Sequence, residues 1–235
     1  MAKSAKTKSK GKARAKAKTL NFTYDLEGQK AAVWKAGNSK EVSVRELPIS
    51  KGVAGVSMRL KPGGIRELHW HAIAAEWGFF ITGKGRVTVV NPQGQWDTQE
   101  YGPGDIFFVP QGYAHYIENI GADECHFLLA FNNGEFNEFS TFSITEWIAQ
   151  TPRDVLVKNF GLPADVFNKF PEKEVYMALG APPGKKTLSR GGKLDTPRLS
   201  HKFQLRAQEG RVYSGGTVKM ATIDNFPASN LMAGA

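Results

Sequence analysis

The sequence predicts an all-β fold, a sandwich or jelly-roll barrel, from three observations. Between about residues 40 and 131 the apolar runs are short and rich in β-branched and aromatic residues, as half-buried strands are. Clusters of Gly, Pro and Asn separate these runs at short intervals. Glycine is abundant, at 25 of 235 residues, which favours a turn-dense sheet protein over a helical bundle.

Eight strands are expected in this stretch. In chain order they are "EVSVREL" (41–47), "AGVSMRL" (54–60), "IRELHWH" (65–71), "WGFFITG" (77–83), "GRVTVVN" (85–91), "DIFFVP" (105–110), "HYIENI" (115–120) and "CHFLLAF" (125–131). The separators "KPGG", "TGKG", "NPQGQ", "YGPGD", "PQGYA" and "GADE" read as turns. After residue 142 the apolar period changes to that of helices, in "ITEWIAQTPRDVLVKNFG" and "PADVFNKFPEKEV". Thr151 and Pro152 mark the junction of two short helices, and Gly161 ends the second.

Domain organisation follows from composition. Residues 1–19 hold eight basic residues and no acidic ones, and read as a disordered, solubilising tail. Setting those eight aside reduces the formal charge from +9 to +1, so basicity is a property of the tail. Nucleic acid is therefore expected as a partner only non-specifically, because lysines without interleaved aromatics give charge but no base stacking. The tail has no apolar signal-peptide core, and no segment is long enough to span a membrane; the expected location is cytoplasmic. Residues 20–142 read as a barrel with an N-terminal arm, 143–180 as a helical segment packing on it, and 181–200 as a Gly/Pro/Lys linker. Residues 201–235 repeat residues 22–56 without gaps at an offset of 179, with Leu26/Leu205, Val33/Val212, Gly37/Gly216, Lys40/Lys219, Pro48/Pro227 and Ser50/Ser229 identical. They read as the partial start of a second module that stops short of an equivalent of His69.

The polar residues of the third strand carry the chemistry. His69 and His71 are two apart, so on a strand they share a face, while Leu68 and Trp70 face the other way. Glu76 follows a turn-length spacer, and His115 enters a new strand after the Pro110–Gly112 turn. Three imidazoles and a carboxylate offer N and O donors to a divalent ion. Of the other histidines, His126 reads as a core or sheet-face residue and His201 as solvated at the end of the linker. Cys125, the single cysteine, reads as a buried structural thiol, and a disulfide-stapled scaffold is excluded.

This constellation resembles the cupin family. Gly63, His69, His71, Glu76 and Gly83 stand at the spacings of its first motif, G-x5-H-x-H-x3/4-E-x6-G. Gly104, Pro110, Gly112, His115 and Asn119 match its second, G-x5-P-x-G-x2-H-x3-N. The resemblance implies a double-stranded β-helix, that is, a jelly-roll barrel, with short C-terminal helices, and His69, His71, Glu76 and His115 as ligands of Mn(II). It narrows to bicupin oxalate decarboxylases through "RELHWH", "GDIFFVP", "IENIG", "TEWIAQTP" and "KNFG", across roughly residues 20–235.

That narrower likeness implies conversion of oxalate to formate and CO2 with Mn(II) and dioxygen. Glu138, in the lid segment "FNEFST", takes the place of the family's proton donor, and Arg66 that of its substrate-binding arginine. Asn137 and Phe139 depart from the Ser and Asn usual beside that glutamate. Strict alternation puts Glu67, and not Arg66, on the histidine face, so Arg66 requires an irregular strand start or a place at the barrel rim. Two alternatives stay open: an oxalate oxidase, and a metal-binding or storage cupin without catalysis. A homo-oligomer is expected, with two copies pairing as a dimer in place of the missing second cupin.

Overall fold

A computed structural model describes residues 21–137, 141–182 and 199–232. The basic tail, Glu138 with its neighbours Phe139 and Ser140, and most of the expected linker lie outside the described residues. Fifteen strands are described, together with helices α1 (Ile144–Gln150) and α2 (Arg153–Phe160). Two sheets dominate. One holds β1 (Ala32–Trp34), β2 (Gly37–Val42), β3 (Ala54–Leu60), β10 (Cys125–Phe131), β5 (Glu76–Thr82), β8 (Asp105–Val109) and β13 (Lys202–Gln204), in that spatial order. The other runs β11 (Thr141–Ser143), β4 (Gly64–His71), β9 (Ala114–Asn119), β6 (Gly85–Val90) and β7 (Trp96–Tyr101), with β12 (Met177–Leu179) also paired to β4.

Alternation explains the packing. On β3, Val56, Met58 and Leu60 face the core, while on the neighbouring β10 Phe127, Leu129 and Phe131 do the same. These side chains join Phe80, Phe107, Val87, Val89, Ile117 and Cys125 in one cluster between the sheets. The Cys125 thiol is fully buried there, and burial pushes its pKa up to about 12, the behaviour of an inert structural thiol. Gly83 needs its glycine: its φ is +78°, and a Cβ would lie 2.6 Å from the Cys125 Cα.

Several expected elements shift. The strand expected at 41–47 lies at Gly37–Val42, because Ser43 and Glu46 turn the chain. Glu46 Oε2 accepts from both the Ser43 N–H and its hydroxyl at 2.9 Å, and Leu47 N–H donates to the Ser43 carbonyl. β7, "WDTQEY", is too polar to announce itself as a strand and forms because the Asn91–Gln95 turn folds it onto β6. Both helices form where their period places them, with Gly161 in the left-handed conformation at φ +65°. The segment "PADVFNKFPEKEV" gives only a 3-10 helix at Ala164–Lys169.

The C-terminal stretch packs on the outside of the first sheet. β13 pairs with β8, and Phe203 and Phe226 form a second cluster with Ile106, Phe108 and Ala75. β14 (Arg211–Tyr213) and β15 (Gly216–Val218) pair Val212 with Thr217, while β1 and β2 pair Val33 with Asn38, the same register at an offset of 179. His201, expected to be solvated, is instead buried: its Nδ1 lies 2.8 Å from the Phe108 carbonyl and its N–H donates to Asp97. Pairing of the adjacent β13 with β8 draws it in.

Candidate metal centre

β4 supplies three of the residues in question, and its register is irregular. Against β9, Ile65 pairs with Glu118 and Arg66 with Ile117, but the next pair is His69 with His115. One extra residue on β4 is thus accommodated by a bulge at Glu67–Leu68. The bulge reverses parity, so Arg66 before it and His69 and His71 after it are all buried. Arg66 therefore lies inside through a mid-strand bulge, not at an irregular strand start or rim. Leu68 and Trp70 face outward as alternation requires, and Trp70 stacks on Phe142 with ring centroids 5.2 Å apart.

Glu76 opens β5, and His115 sits on β9 directly opposite His69. The Pro110–Gly112 turn is tied to the first motif, since Gly112 N–H donates to the His71 carbonyl at 2.9 Å. Asn119, the last residue of the second motif, is structural: its amide donates to the Leu60 and Asp123 carbonyls and accepts from Gly121 N–H.

One donor atom from each of His69, His71, Glu76 and His115 lies within 4.8 Å of the others, and all four residues are buried. Each imidazole is held from behind. His69 Nδ1 donates to the Glu67 carbonyl at 2.6 Å and His115 Nδ1 to that of Tyr113 at 3.1 Å. His71 Nδ1 is 3.1 Å from the Thr141 hydroxyl. Carbonyls only accept, so His69 and His115 carry their proton on Nδ1 and turn the Nε2 lone pair inward. His71 Nε2 and His115 Nε2 approach Glu76 Oε2 to 2.9 and 3.1 Å.

Burial, followed by the charges of Arg66 and the neighbouring histidines, pushes the His69 pKa well below its ordinary value. Burial likewise lowers His71 to about 4 against the opposing pull of Glu76. For Glu76 burial works upward, but His115 and His71 outweigh it and hold the carboxyl at about 2. Imidazoles thus converge on an ionised carboxylate, and Glu76 Oε1 is buried without a hydrogen-bond partner among the described residues. Leaving such an atom unsatisfied is costly, and a divalent cation among these donors satisfies it. The set fits a first-row divalent ion with positions left open beyond its four protein donors.

Arg66 lies within the same interior. It is 2% exposed, its Nη1 donates to the Tyr176 carbonyl at 3.2 Å, and its guanidinium stacks 3.9 Å above the Tyr176 ring. The geometry thus brings together His69, His71, Glu76, His115 and Arg66; Glu138 is outside the described residues. Sequence reasoning missed Thr141, which touches His71, and Tyr176, which holds Arg66. Thr141 follows Glu138, of the expected lid segment, by three residues, a usable signal, whereas nothing local links Tyr176 to a residue 110 positions earlier.

Residues 27–166 match the sequence profile of the cupin family. The chain is 41% identical to oxalate decarboxylase OxdC of Bacillus subtilis over 203 residues, covering 86% of this chain and 52% of that protein. It is 33% identical over 216 residues to a probable oxalate decarboxylase of Arthroderma benhamiae, covering 91% and 53%. The solved structure of B. subtilis OxdC at pH 4.6 superposes with a TM-score of 0.84 at 38% identity, covering 91% of this chain and 56% of that one. Another structure of that enzyme concerns the assignment of its Mn(II) centres. The chain spans about half the length of the curated relatives it matches. With the His/Glu constellation, the two-sheet architecture and a profile match over more than half its length, the chain belongs to the cupin family.

Proposed function

We propose that the protein is a Mn(II)-dependent oxalate decarboxylase, converting oxalate and a proton to formate and CO2. The observation that carries this reading is the arginine buried beside a buried three-histidine, one-carboxylate cluster. A cluster that only stored a metal has no use for a second, desolvated cation, whereas a small dianion does. His69, His71, Glu76 and His115 would hold the ion. Bound Mn(II), with dioxygen as co-substrate, would supply the electron acceptance that cleavage of the oxalate C–C bond requires.

The chain's own residues do the rest. Arg66 presents a planar, permanently charged fork to a carboxylate of the substrate, and its stacking on Tyr176 fixes the plane of that fork. Thr141 holds the His71 ring through Nδ1 and leaves Nε2 turned inward. Glu138, in its acid form, gives a proton to the carbon left after CO2 departs, so that formate is released. Without that proton the same fragment is open to oxidation, which is the oxidase outcome.

Metal-loaded protein incubated with oxalate is expected to yield formate and CO2 with little peroxide. Peroxide as main product would make it an oxidase, and neither product would leave a metal-binding cupin. Glu138→Ala is expected to lower formate production by about 100-fold, the scale of a lost general acid, with bound metal unchanged. Unaltered formate production by that variant removes Glu138 from the role. The reading includes a homo-oligomer; light scattering of the active species tests this, and an active monomer refutes it.

A further inference from the structure

We infer that Glu67 is a positioning residue for Arg66, and that its carboxylate sets the guanidinium on the histidine face of β4. The inference rests on the proposed role of Arg66 in binding oxalate and adds the means by which that side chain is aimed.

The argument begins at the bulge. An undisturbed strand would turn Arg66 away from the face that carries His69 and His71. The extra residue on β4 reverses this, and an extra residue needs somewhere to put its backbone groups and side chain. Glu67 has a partner for each. Its N–H donates to the Tyr176 carbonyl at 3.1 Å, and its own carbonyl accepts from His69 Nδ1 at 2.6 Å. Its carboxylate is 4% exposed and accepts twice, through Oε1 from Tyr176 N–H at 2.6 Å and through Oε2 from the Thr145 hydroxyl at 2.5 Å. Thr145 Oγ1 in turn accepts from Val175 N–H at 3.0 Å, so one side chain of β4 gathers two successive amides ahead of β12.

Tyr176 is the link to Arg66. Its φ is +60°, a left-handed conformation that is strained for a bulky residue and persists only where surrounding bonds impose it. The Glu67 carboxylate on its N–H is such a bond, and stacking of its ring on Trp34 at 4.2 Å is another. In this conformation Tyr176 directs both its carbonyl and its ring at Arg66. Gly63 permits the close approach: a Cβ there would lie 2.1 Å from the Gly180 carbonyl oxygen at the end of β12. Glu67 thus acts on Arg66 through Tyr176.

The test compares parent, Glu67→Ala and Glu67→Gln as Mn(II)-loaded proteins. Measured are metal content, oxalate affinity by calorimetry, and hydrogen exchange of the Arg66 side chain in protein carrying isotope-labelled arginine. Glu67→Ala is expected to bind oxalate at least about tenfold more weakly and to exchange faster at Arg66, with metal content unchanged. Glu67→Gln keeps an amide oxygen for Tyr176 N–H and is expected to restore affinity to within about threefold of the parent. Oxalate affinity and Arg66 exchange both unchanged in Glu67→Ala would overturn the inference. Should that variant not fold, Thr145→Val decides: faster Arg66 exchange supports the inference and parental exchange overturns it. A parent that binds metal but no oxalate refutes the proposed function instead, and the exchange measurement still decides the role of Glu67.

Discussion

Two clusters of histidine and glutamate lie on opposite faces of the barrel wall, and only one of them calls for a ligand. On the outer face Glu27 accepts from the Ser57 hydroxyl at 2.5 Å and pairs with Lys40 and Arg59, each at 3.1 Å. His126 joins through Ser57 at 2.9 Å. Inside, His69, His71 and His115 converge on Glu76, and one carboxylate oxygen has no hydrogen-bond partner among the described residues. Residue types alone do not separate the two. The outer cluster carries its own cations and keeps Glu27 half in water, at 49% side-chain exposure, whereas the Glu76 side chain is 1% exposed. Solvent and lysine satisfy the first cluster; a divalent ion would satisfy the second.

The largest expected effect comes from breaking the inner cluster. Glu76→Ala removes the one carboxylate among the four described donors, and Mn(II) affinity is expected to fall by more than the roughly 10–100-fold typical of residues that merely support a ligand. Added Mn(II) should raise the Tm of the parent by several degrees and leave that of Glu76→Ala unmoved. A ligand at about 100 times its Kd stabilises by about 2.7 kcal/mol, and each kcal/mol is worth about 2–4 °C in a chain of this size. A chelator should abolish the difference. Equal metal-induced shifts in parent and variant would show that the four donors do not act together.

How much of this was legible in the sequence differs by element. The inner ligands were readable because alternation places His69 with His71 and the motif spacings add Glu76 and His115; folding only had to preserve local rules. The outer face was readable on β3 and β10 for the same reason, with Ser57, Arg59 and His126 alternating with apolar neighbours. Arg66 was not readable from period two, because the bulge that brings it inward is set by Tyr176 and Thr145, far along the chain. His201 was misread because its burial depends on strand pairing with β8, which no local pattern reveals. The turn at Ser43 did carry a signal, a Ser followed three residues later by Glu, and the β-branched residues around it masked that signal.

The smallest effect sharpens the contrast from the other side, through pH. The Ser57 hydrogen bond, working against burial and joined by Lys40 and Arg59, lowers the Glu27 pKa from 4.5 to about 2. A carboxyl whose folded pKa is depressed contributes stability that is full above its unfolded value and is lost as pH falls toward the folded one. Glu27→Gln is therefore expected to lower Tm at neutral pH, and the deficit should shrink between about pH 5 and about pH 3. Half-exposed ion pairs are screened, so the deficit at neutral pH should not exceed about 1 kcal/mol, a few degrees at most. Added salt should reduce it, since screening acts on exposed charges. Metal content should be the same in Glu27→Gln and parent, because among the described residues the partners of Glu27 are Ser57, Lys40, Arg59 and His126 and none of the inner ligands. A deficit independent of pH and salt would mean that Glu27 stabilises by packing and not by charge, and a change in bound metal would mean that the two faces of the wall are coupled.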